Sequence, residues 1–435
     1  MTTFGLDSDV IGRLIAAVSV GAADVDQAAA ASDADRRFAL ATWSGLVEPG
    51  DGTAGAFVAA LGPVVALTAL IDEWPVQRMT NAVREAGAAG AADIAGVAAE
   101  LAEGVKRWRP RLRSQDVVRS LELAARVGVT LVAPGDFGWP AQLEDLGRHA
   151  PIVLWRRGSA QVCASTARSV ALVGARAATT YGEQVTMEAS AGLVARGYAI
   201  VSGAAYGIDG MAHKAALANE GATVAVLAGG VDRFYPAGHD ELLRRIAESG
   251  AVVSEVPCGG APTKWRFLQR NRVIAAMSCA TVVVEAGHRS GSLNTAGHAS
   301  ALGRPLGAVP GPITSPASAG CHRLIRDYAA VCVTSTDEIV ELVGGFTTTG
   351  LTTPGDAAEQ DGQSAFGERT PEQTRVIDAL SARSARPLEN IAARAGLSIA
   401  AVRAELGVLE LDGAVSERAG GWVRGQPGSS AKLER

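Results

Sequence analysis

The amino-acid sequence predicts an α/β protein. Its centre is a doubly wound, mostly parallel β-sheet, with a helical N-terminal domain before it and a small helical module after it. Seven short apolar runs rich in Val and Ala lie between residues 169 and 335. Most of them are separated by segments in which apolar residues have helical spacing. The runs are hydrophobic almost without interruption, as expected for strands that helices cover on both faces. This alternation indicates a Rossmann-like domain.

The chain before this domain is predicted to be helical as far as residue 115. Its amphipathic, mostly Ala-rich segments lie around residues 11–18, 38–45, 55–74 and 92–105. The stretch FVAALGPVV at residues 57–65 indicates either two packed helices joined by a Gly turn or a helix–hairpin–helix that grips a DNA backbone.

A lead-in connects the helical part to the sheet. The stretch TLVAPGDFGWPAQLEDLG at residues 130–147 predicts a strand, a turn and a short helix, and PIVLWRRGS at residues 151–159 predicts a further strand. The Rossmann-like domain is therefore predicted over residues 116–343, with residues 116–168 as its lead-in.

The C-terminal region is predicted to be a linker followed by a small domain. Residues 344–368 are rich in Gly, Thr, Pro and Ser and lack periodicity, which is typical of a linker. Residues 369–424 follow the order helix, helix, Gly turn, helix and hairpin, which resembles a winged helix-turn-helix. Thr370 is predicted to cap the start of its first helix, with Pro371 at the first helical position and Gln373 placed for a capping box.

The recognition helix of this winged-helix module is a poor candidate for reading DNA. It is predicted over residues 398–411 and carries Arg403 against Glu405 and Glu410. A protein contact or a vestigial role is at least as consistent with this composition.

The composition excludes several classes of protein. The net charge is −5, yet residues 168–327 contain 15 Lys and Arg against 11 Asp and Glu, so a basic centre lies in an acidic frame. The five cysteines form no CxxC pair, so no zinc site and no disulfide framework are expected. The N-terminus lacks a cationic leader and no run reaches eighteen apolar residues, so we expect no signal peptide, no membrane span and a cytoplasmic location.

The ends of the predicted strands indicate an anion-binding surface. Gly, Ser and Thr are frequent in the turns at residues 174–182, 202–213, 285–299 and 310–325. Such turns expose backbone N–H groups to phosphate oxygens, and ligands of open α/β sheets gather at this edge. The basic stretch KWRFLQRNRVIA at residues 264–275 adds four cations and two aromatic rings.

The usual nucleotide and hydrolase motifs are missing from the sequence. GARAAT at the first strand end is not GxGxxG, and Ser202–Gly203 follow the second strand where a dinucleotide site has an acidic residue. The sequence contains neither GxxxxGK[ST] nor GxSxG. We therefore predict no cofactor, no metal and no catalytic residue.

Eight motifs in this order resemble the DprA/Smf family of bacterial DNA-processing proteins, over residues 130–343. They are WPAQLEDL with PIVLWRRG, GARxxTxYG, SGxAxGIDxxAH, LAGGVDxxYP, SE, FxxRNRxIA, VVEA with RSGSLxTA, and VPG with SxGCHxLI. The resemblance implies a Rossmann-like domain that binds single-stranded DNA, forms a homodimer and loads RecA recombinase onto DNA during natural transformation or recombination, without catalysis.

The resemblance also implies a set of DNA-binding residues. Arg-Asn-Arg at 270–272 is expected to begin a helix whose cations face the DNA backbone, and Tyr206 replaces the Arg or Lys of many relatives. Trp265 or Phe267 is expected either to stack on a base or to anchor the loop. The expected DNA-binding residues are Gly174, Arg176, Thr179, Tyr206, Gly207, Lys264, Arg266, Phe267, Arg270, Asn271, Arg272, Ser290, Gly291 and Ser292.

Some of these expectations have alternatives. The arginines of the basic stretch could instead pair with carboxylates such as Glu255 or Glu285 inside the fold. Leu324, Ile325 and Tyr328 are either part of the dimer interface or ordinary core.

Two other functions fit parts of the pattern. A phosphoribohydrolase-like enzyme would use the same sheet edge, but GHRSGSLNT stands here where such enzymes have PGGxGTxxE. The winged-helix module could alternatively make the chain a regulator that binds double-stranded DNA, which the acidic recognition helix disfavours.

Overall fold

The N-terminal part of the molecule is helical, as predicted, apart from a small hairpin at its start. The computed structural model describes residues 2–19, 27–87, 94–347 and 369–425. The hairpin consists of β1 (Thr2–Thr3) and β2 (Leu6–Asp7). The helices are α1 (Ser8–Ala16), α2 (Gln27–Leu46), α3 (Gly52–Leu61), α4 (Pro63–Ile71), α5 (Val76–Glu85), α6 (Ile94–Trp108) and α7 (Ser114–Arg126). Helix α7 runs across residue 115, where the sequence pattern places the domain boundary.

The stretch at residues 57–65 forms two helices with a sharp bend between them. Gly62 separates α3 from α4 with a positive φ of 76°, and the chain direction bends by 109° between the two helices. The buried rings of Trp43 and Trp108 pack edge to face, with centroids 5.4 Å apart, beneath this pair of helices. The Asp51 carboxylate accepts a hydrogen bond from Trp108 Nε1 (3.0 Å) and one from the Ala54 N–H at the start of α3 (3.2 Å).

The centre is a nine-stranded, mostly parallel sheet, which confirms the predicted fold class. Its strands lie in the order β11-β10-β9-β5-β6-β7-β8-β4-β3. Strands β5 to β11 are parallel, β4 is antiparallel to β8, and β3 is antiparallel to β4. The strands are β3 (Thr130–Val132), β4 (Leu154–Gly158), β5 (Ser169–Val173), β6 (Ala199–Ser202), β7 (Thr223–Val226), β8 (Ala251–Ser254), β9 (Ala280–Val283), β10 (Leu306–Ala308) and β11 (Val331–Cys332).

Helices cover both faces of this sheet. Val170 and Leu172 of β5 belong to one buried cluster, and Val173 of the same strand belongs to a different one, as expected when successive side chains point to opposite faces. The N-terminal helices extend a third cluster, in which Phe38 joins Val252 of β8. The helices are α8 (Ala160–Ala164), α9 (Thr180–Ala195), α10 (Ile208–Ala218), α11 (Asp240–Ser249), α12 (Lys264–Met277), α13 (Ser292–Ala301), α14 (Ala319–Asp327) and α15 (Thr336–Thr347).

The C-terminal module has the predicted winged-helix order, whereas most of the predicted linker lies outside the described residues. Thr370 and Gln373 form the predicted capping box at the first helix. Gly396 ends the second helix in the left-handed conformation, with φ 65°. The elements are α16 (Pro371–Ala379), α17 (Leu388–Ala395), α18 (Ile399–Leu411), β12 (Val415–Arg418) and β13 (Gly421–Arg424).

Within the described ranges, no single helix is long and apolar enough to cross a membrane. The bent pair of α3 and α4 reaches the necessary length and composition only when both helices are counted together. Residues such as Phe57 and Leu67 of this pair are buried in the N-terminal core.

Candidate nucleic-acid interface

The strand order reverses beside β5, where the loops that follow β5 and β9 lie next to each other. Buried Glu285 connects these loops: its carboxylate accepts hydrogen bonds from the Thr179 N–H (2.9 Å) and the Thr179 hydroxyl (2.5 Å). The Thr179 oxygen also caps α9 by accepting a bond from the Gly182 N–H (3.2 Å). The hydroxyl proton of Thr179 is therefore directed to Glu285. The predicted phosphate contact would require this proton to point outward. This reversal of strand order is the usual ligand position in doubly wound folds.

Two glycines allow the loops at this edge to pack closely. Gly207 has a positive φ of 74°, and a Cβ there would lie 2.2 Å from the carbonyl oxygen of Ala175. A Cβ on Gly174 would lie 2.6 Å from the Ile208 side chain. Larger residues at either position would separate the loops after β5 and β6. Both glycines therefore allow these two loops to pack against each other beneath the surface.

Arg270 lies beneath the surface and holds two loops together. It is buried, and its Nη1 donates to the carbonyl oxygens of Gly203 (2.7 Å) and Val226 (2.5 Å), at the ends of β6 and β7. Burial lowers the pKa of Arg270 to about 10, and the charge of buried Asp209 opposes this shift. Arg270 therefore positions loops in this conformation and presents no N–H group outward from Nη1.

The expectation that Arg-Asn-Arg begins a helix is wrong. Helix α12 begins at Lys264, because the Thr263 side chain caps it by accepting a hydrogen bond from the Arg266 N–H (3.2 Å). Residues 270–272 consequently lie in the middle of the helix, where all three are buried.

Two further cations of α12 are paired inside the fold. Arg272 Nη2 lies 2.6 Å from Glu255 Oε1, which confirms the alternative that this arginine pairs with a carboxylate. Arg266 lies with Nε 3.0 Å and Nη2 2.9 Å from the two carboxylate oxygens of Glu48. Buried charges require such partners, because an unpaired ion in the interior costs several kcal/mol. In this conformation neither arginine offers its charge to a ligand.

A group of exposed and half-buried cations and aromatic rings remains at the carboxyl edge. The Arg176 guanidinium lies 5.2 Å from the centroid of the Phe267 ring, and Arg176 is exposed. The ring of Tyr235, which is 48% exposed, lies 5.5 Å from the same Phe267 ring. Exposed Lys264 begins the helix that carries Phe267. We call Arg176, Phe267, Tyr235 and Lys264 the edge cluster.

Tyr206 lies on the loop after β6 with its ring partly exposed. Its hydroxyl accepts a hydrogen bond from the Gly238 N–H (3.2 Å), and its ring packs edge to face with His239 at 4.8 Å. Because 47% of Tyr206 is exposed, one part of the ring is accessible to a base although the hydroxyl already has a partner.

The loop before α13 is held by α12. Asn271 Nδ2 donates to the Gly291 carbonyl oxygen (3.3 Å) and to Asn294 Oδ1 (3.1 Å). The hydroxyl oxygens of Ser290 and Ser292 lie 2.7 Å apart and form a hydrogen bond with each other. Asn271 thus supports this loop from behind rather than facing a ligand.

Sequence reasoning missed three exposed residues at this edge: Tyr235, Arg233 and Arg289. Each lies in a motif that the sequence displays, LAGGVDxxYP or the RSGSLxTA segment. Arg233, Tyr235 and Phe267 line one shallow cleft together with Gly203 and Pro262. An aromatic or cationic residue within the loop that follows a strand was the available signal.

The candidate dimer residues differ in their surroundings. Leu324 of α14 is buried in the chain's own core, so it is not available to a partner. Ile325 and Tyr328 are half-buried and pack against that core. The predicted interface on this helix therefore has only Ile325 and Tyr328 as candidates.

Two family models match the chain. One, for DNA recombination-mediator protein A, matches residues 130–344, and one for the DprA winged helix domain matches residues 358–421. The putative DNA processing protein DprA of Mycobacterium tuberculosis is 44% identical over 368 residues, which cover 81% of this chain and 91% of that protein. The chain belongs to the DprA/Smf family.

Other members of the DprA/Smf family agree in sequence and in fold. DprA of Bacillus subtilis is 34% identical over 245 residues, which cover 56% of this chain and 80% of that protein. The crystal structure of DprA from Streptococcus pneumoniae superposes with a TM-score of 0.53 at 27% identity, covering 71% of this chain and 97% of that one. The predicted family and the Rossmann-like fold with a winged helix are thereby confirmed, and the chain is a DNA-processing protein of this family.

Proposed function

We propose that this chain is a non-catalytic protein that binds single-stranded DNA at the carboxyl edge of its sheet. The observation that carries the proposal is the edge cluster, in which the Phe267 ring lies 5.2 Å from the Arg176 guanidinium and 5.5 Å from the Tyr235 ring. Proteins that bind single strands without sequence preference combine cations along the backbone with aromatic rings on which bases stack. Both kinds of group are exposed here, at the edge where ligands of this fold gather.

The glycine-rich loops are proposed to add backbone contacts. Gly207 and Gly291 directly precede α10 and α13, and N–H groups at the starts of helices suit phosphate oxygens. The turn at Gly174 contributes less, because the Thr179 N–H before α9 already donates to Glu285. Contacts of this kind carry no base information, so we expect little preference among DNA sequences.

Fluorescence anisotropy with a labelled oligo-dT strand tests this proposal. We expect the parent protein to bind the single strand more tightly than a duplex of equal length, and Arg176→Ala to weaken that binding. Arg168→Ala is a matched control, because Arg168 is also exposed but lies at the opposite edge, directly before β5. Equal losses in both variants, or preferred binding of the duplex, would contradict the proposal.

The proposed biological role is to protect recombining single strands and to load RecA recombinase onto them, as a homodimer in the cytoplasm. Family membership supports this role. The test is the rate at which RecA forms filaments on a strand that single-strand-binding protein already covers. The chain should accelerate this step, and Arg176→Ala should not. Light scattering at micromolar concentration tests the dimer, for which a monomer mass would be the contrary result.

The winged-helix module is proposed to contact protein rather than double-stranded DNA. On α18, Leu411 is 90% exposed and Val408 is 46% exposed, beside Glu410. An apolar and acidic face is the opposite of what a DNA major groove requires. Retention of duplex affinity after Arg403→Ala would agree with this assignment, and its loss would contradict it.

A further inference from the structure

The winged-helix module is docked against the start of α12, the helix that carries part of the edge cluster. The Asp378 carboxylate of α16 accepts hydrogen bonds from the backbone N–H groups of Lys264 (2.6 Å) and Trp265 (3.4 Å). These are the first two residues of α12, whose N–H groups have no partner within their own helix. A negative charge at this end is also favoured by the helix dipole.

A second contact covers the aromatic ring at the start of α12. The Arg375 guanidinium, also from α16, lies 5.2 Å from the centroid of the Trp265 ring. Arg375 is held in place within its module by hydrogen bonds to the carbonyl oxygens of Ala395 (2.8 Å) and Gly396 (2.5 Å). A guanidinium over an indole occupies the face on which a base would otherwise stack.

A third contact connects the module to the N-terminal helices. Arg111 Nε donates to the Ala393 carbonyl oxygen at 2.5 Å, and Arg111 Nη2 lies 2.5 Å from Glu48 Oε1. The same Glu48 carboxylate pairs with Arg266 of α12. The module, the N-terminal helices and α12 therefore meet around one buried carboxylate.

We propose that the docked winged-helix module is an autoinhibitory element: it covers the start of α12 with Asp378 and Arg375, and single-stranded DNA must displace it to use this end of the edge cluster. This inference rests on the proposed function, because the competitor is the strand that binds at the sheet edge. Asp378 presents an anionic oxygen to the N–H groups of α12, as a DNA phosphate would. Arg375 lies over Trp265 as a base would.

The expected effect follows from the population of the docked state. When only a fraction of the molecules can bind, the apparent Kd rises by the inverse of that fraction. A module that is docked in about nine of ten molecules weakens binding about tenfold. Asp378→Ala removes the carboxylate that holds the docked state, so this variant should bind oligo-dT about tenfold more tightly than the parent.

The experiment compares three full-length variants with the parent. Asp378→Ala removes the carboxylate, Asp378→Asn keeps its shape without its charge, and Glu410→Ala is the control, since Glu410 is an exposed carboxylate of the same module on α18. Hydrogen exchange at the Lys264 and Trp265 amides, measured without DNA, reports whether the module is docked. Anisotropy with oligo-dT at constant salt reports affinity.

The inference predicts faster exchange and tighter binding for Asp378→Ala, a smaller effect of the same sign for Asp378→Asn, and no change for Glu410→Ala. Faster exchange with unchanged or weaker binding would overturn it, because the module would then be released without any gain. Unchanged exchange in Asp378→Ala would overturn it too, because Asp378 would not hold the module. If the parent and all variants failed to bind single strands, the proposed function itself would be refuted and the inference with it.

Discussion

Arg176 and Arg272 are expected to respond to replacement in opposite ways. Arg176 is exposed against the Phe267 ring, so Arg176→Ala removes a cation from the surface and leaves no buried charge behind. Only 4% of the Arg272 side chain is exposed, and Arg272→Ala leaves the Glu255 carboxylate in the interior without its partner. The first variant should therefore lose DNA affinity, and the second should lose stability.

The magnitudes follow from the number of exposed cations. Each phosphate contact adds about −0.7 to the slope of log K against log salt for a single strand. Five contacts, one for each cation predicted from the sequence, would give a slope of about −3.5. The four exposed cations at the edge give a slope of about −2.8. Arg176→Ala should bring the slope to about −2.1 and cost about 1.5–3 kcal/mol of binding free energy. The four exposed cations are Arg176, Arg233, Lys264 and Arg289.

Arg272→Ala should leave the salt slope of the folded protein unchanged and lower the free energy of unfolding by about 3–5 kcal/mol, the cost of removing one partner of a buried pair. Burial raises the pKa of Glu255, and the charge of Arg272 opposes this shift, so the variant should raise that pKa further. A carboxyl whose pKa is higher in the folded chain stabilises the fold at low pH and loses this contribution as pH rises through the folded pKa. Part of the lost stability should therefore return between a measurement at neutral pH and one at a mildly acidic pH.

Anisotropy over a series of NaCl concentrations and urea unfolding at the two pH values measure both quantities on the same samples. A reduced salt slope in Arg272→Ala with unaltered unfolding would refute the reasoning, since it would mean that Arg272 leaves Glu255 to contact phosphate. An unchanged slope in Arg176→Ala would equally refute the assignment of the edge cluster.

Three further outcomes are expected. Tyr235→Ala should cost about 1–3 kcal/mol of binding free energy, the range for one stacked base, while Tyr235→Phe should cost little; anisotropy that shows equal losses would argue against stacking. Glu48→Gln should lower the free energy of unfolding by about 3–5 kcal/mol, because Arg266 and Arg111 hold the pKa of this carboxyl well below its ordinary value and would lose their counter-charge. A loss of less than about 1 kcal/mol in urea unfolding would contradict this. Mass spectrometry of labelled peptides should show that exposed Cys332 reacts with a thiol reagent in the native protein. Burial raises the pKa to about 12 at Cys163, Cys258 and Cys321, so these thiols should react only after unfolding.

Local pattern could predict the sheet but not the state of the basic stretch. The apolar runs around β5 to β11 are enough to predict strands, because a strand that is covered on both faces has no alternation of apolar and polar residues. Thr263 before Lys264 was also a local signal for the start of α12. The partners of Arg266 and Arg272 were not accessible in this way: Glu48 lies 218 residues from Arg266 in the sequence, and a count of cations does not tell which of them are paired.

The candidate site could be predicted as a surface but only partly as a set of residues. The strand-end turns indicated the right edge, and Arg176 and Phe267 lie there as predicted. Arg270 and Asn271 belong to the same motifs but face inward, since their side chains bond to loop carbonyls. Tyr235 was overlooked although it lies in a strand-end loop, because its contact with the Phe267 ring is seen only in the folded chain.

The shared cluster of the N-terminal helices and the sheet has a consequence for biosynthesis. Ile11 and Phe38 belong to the same buried cluster as Leu243 and Val252, so the N-terminal helices complete their core with residues that are synthesised more than 200 positions later. At about 5–20 residues per second, the amphipathic N-terminal helices wait at least about 10 seconds for those partners. During this interval their apolar faces are uncovered, and chaperones have their main opportunity to bind. Because such distant contacts also slow refolding, the chain should recover from denaturant more slowly than a helical bundle of equal size.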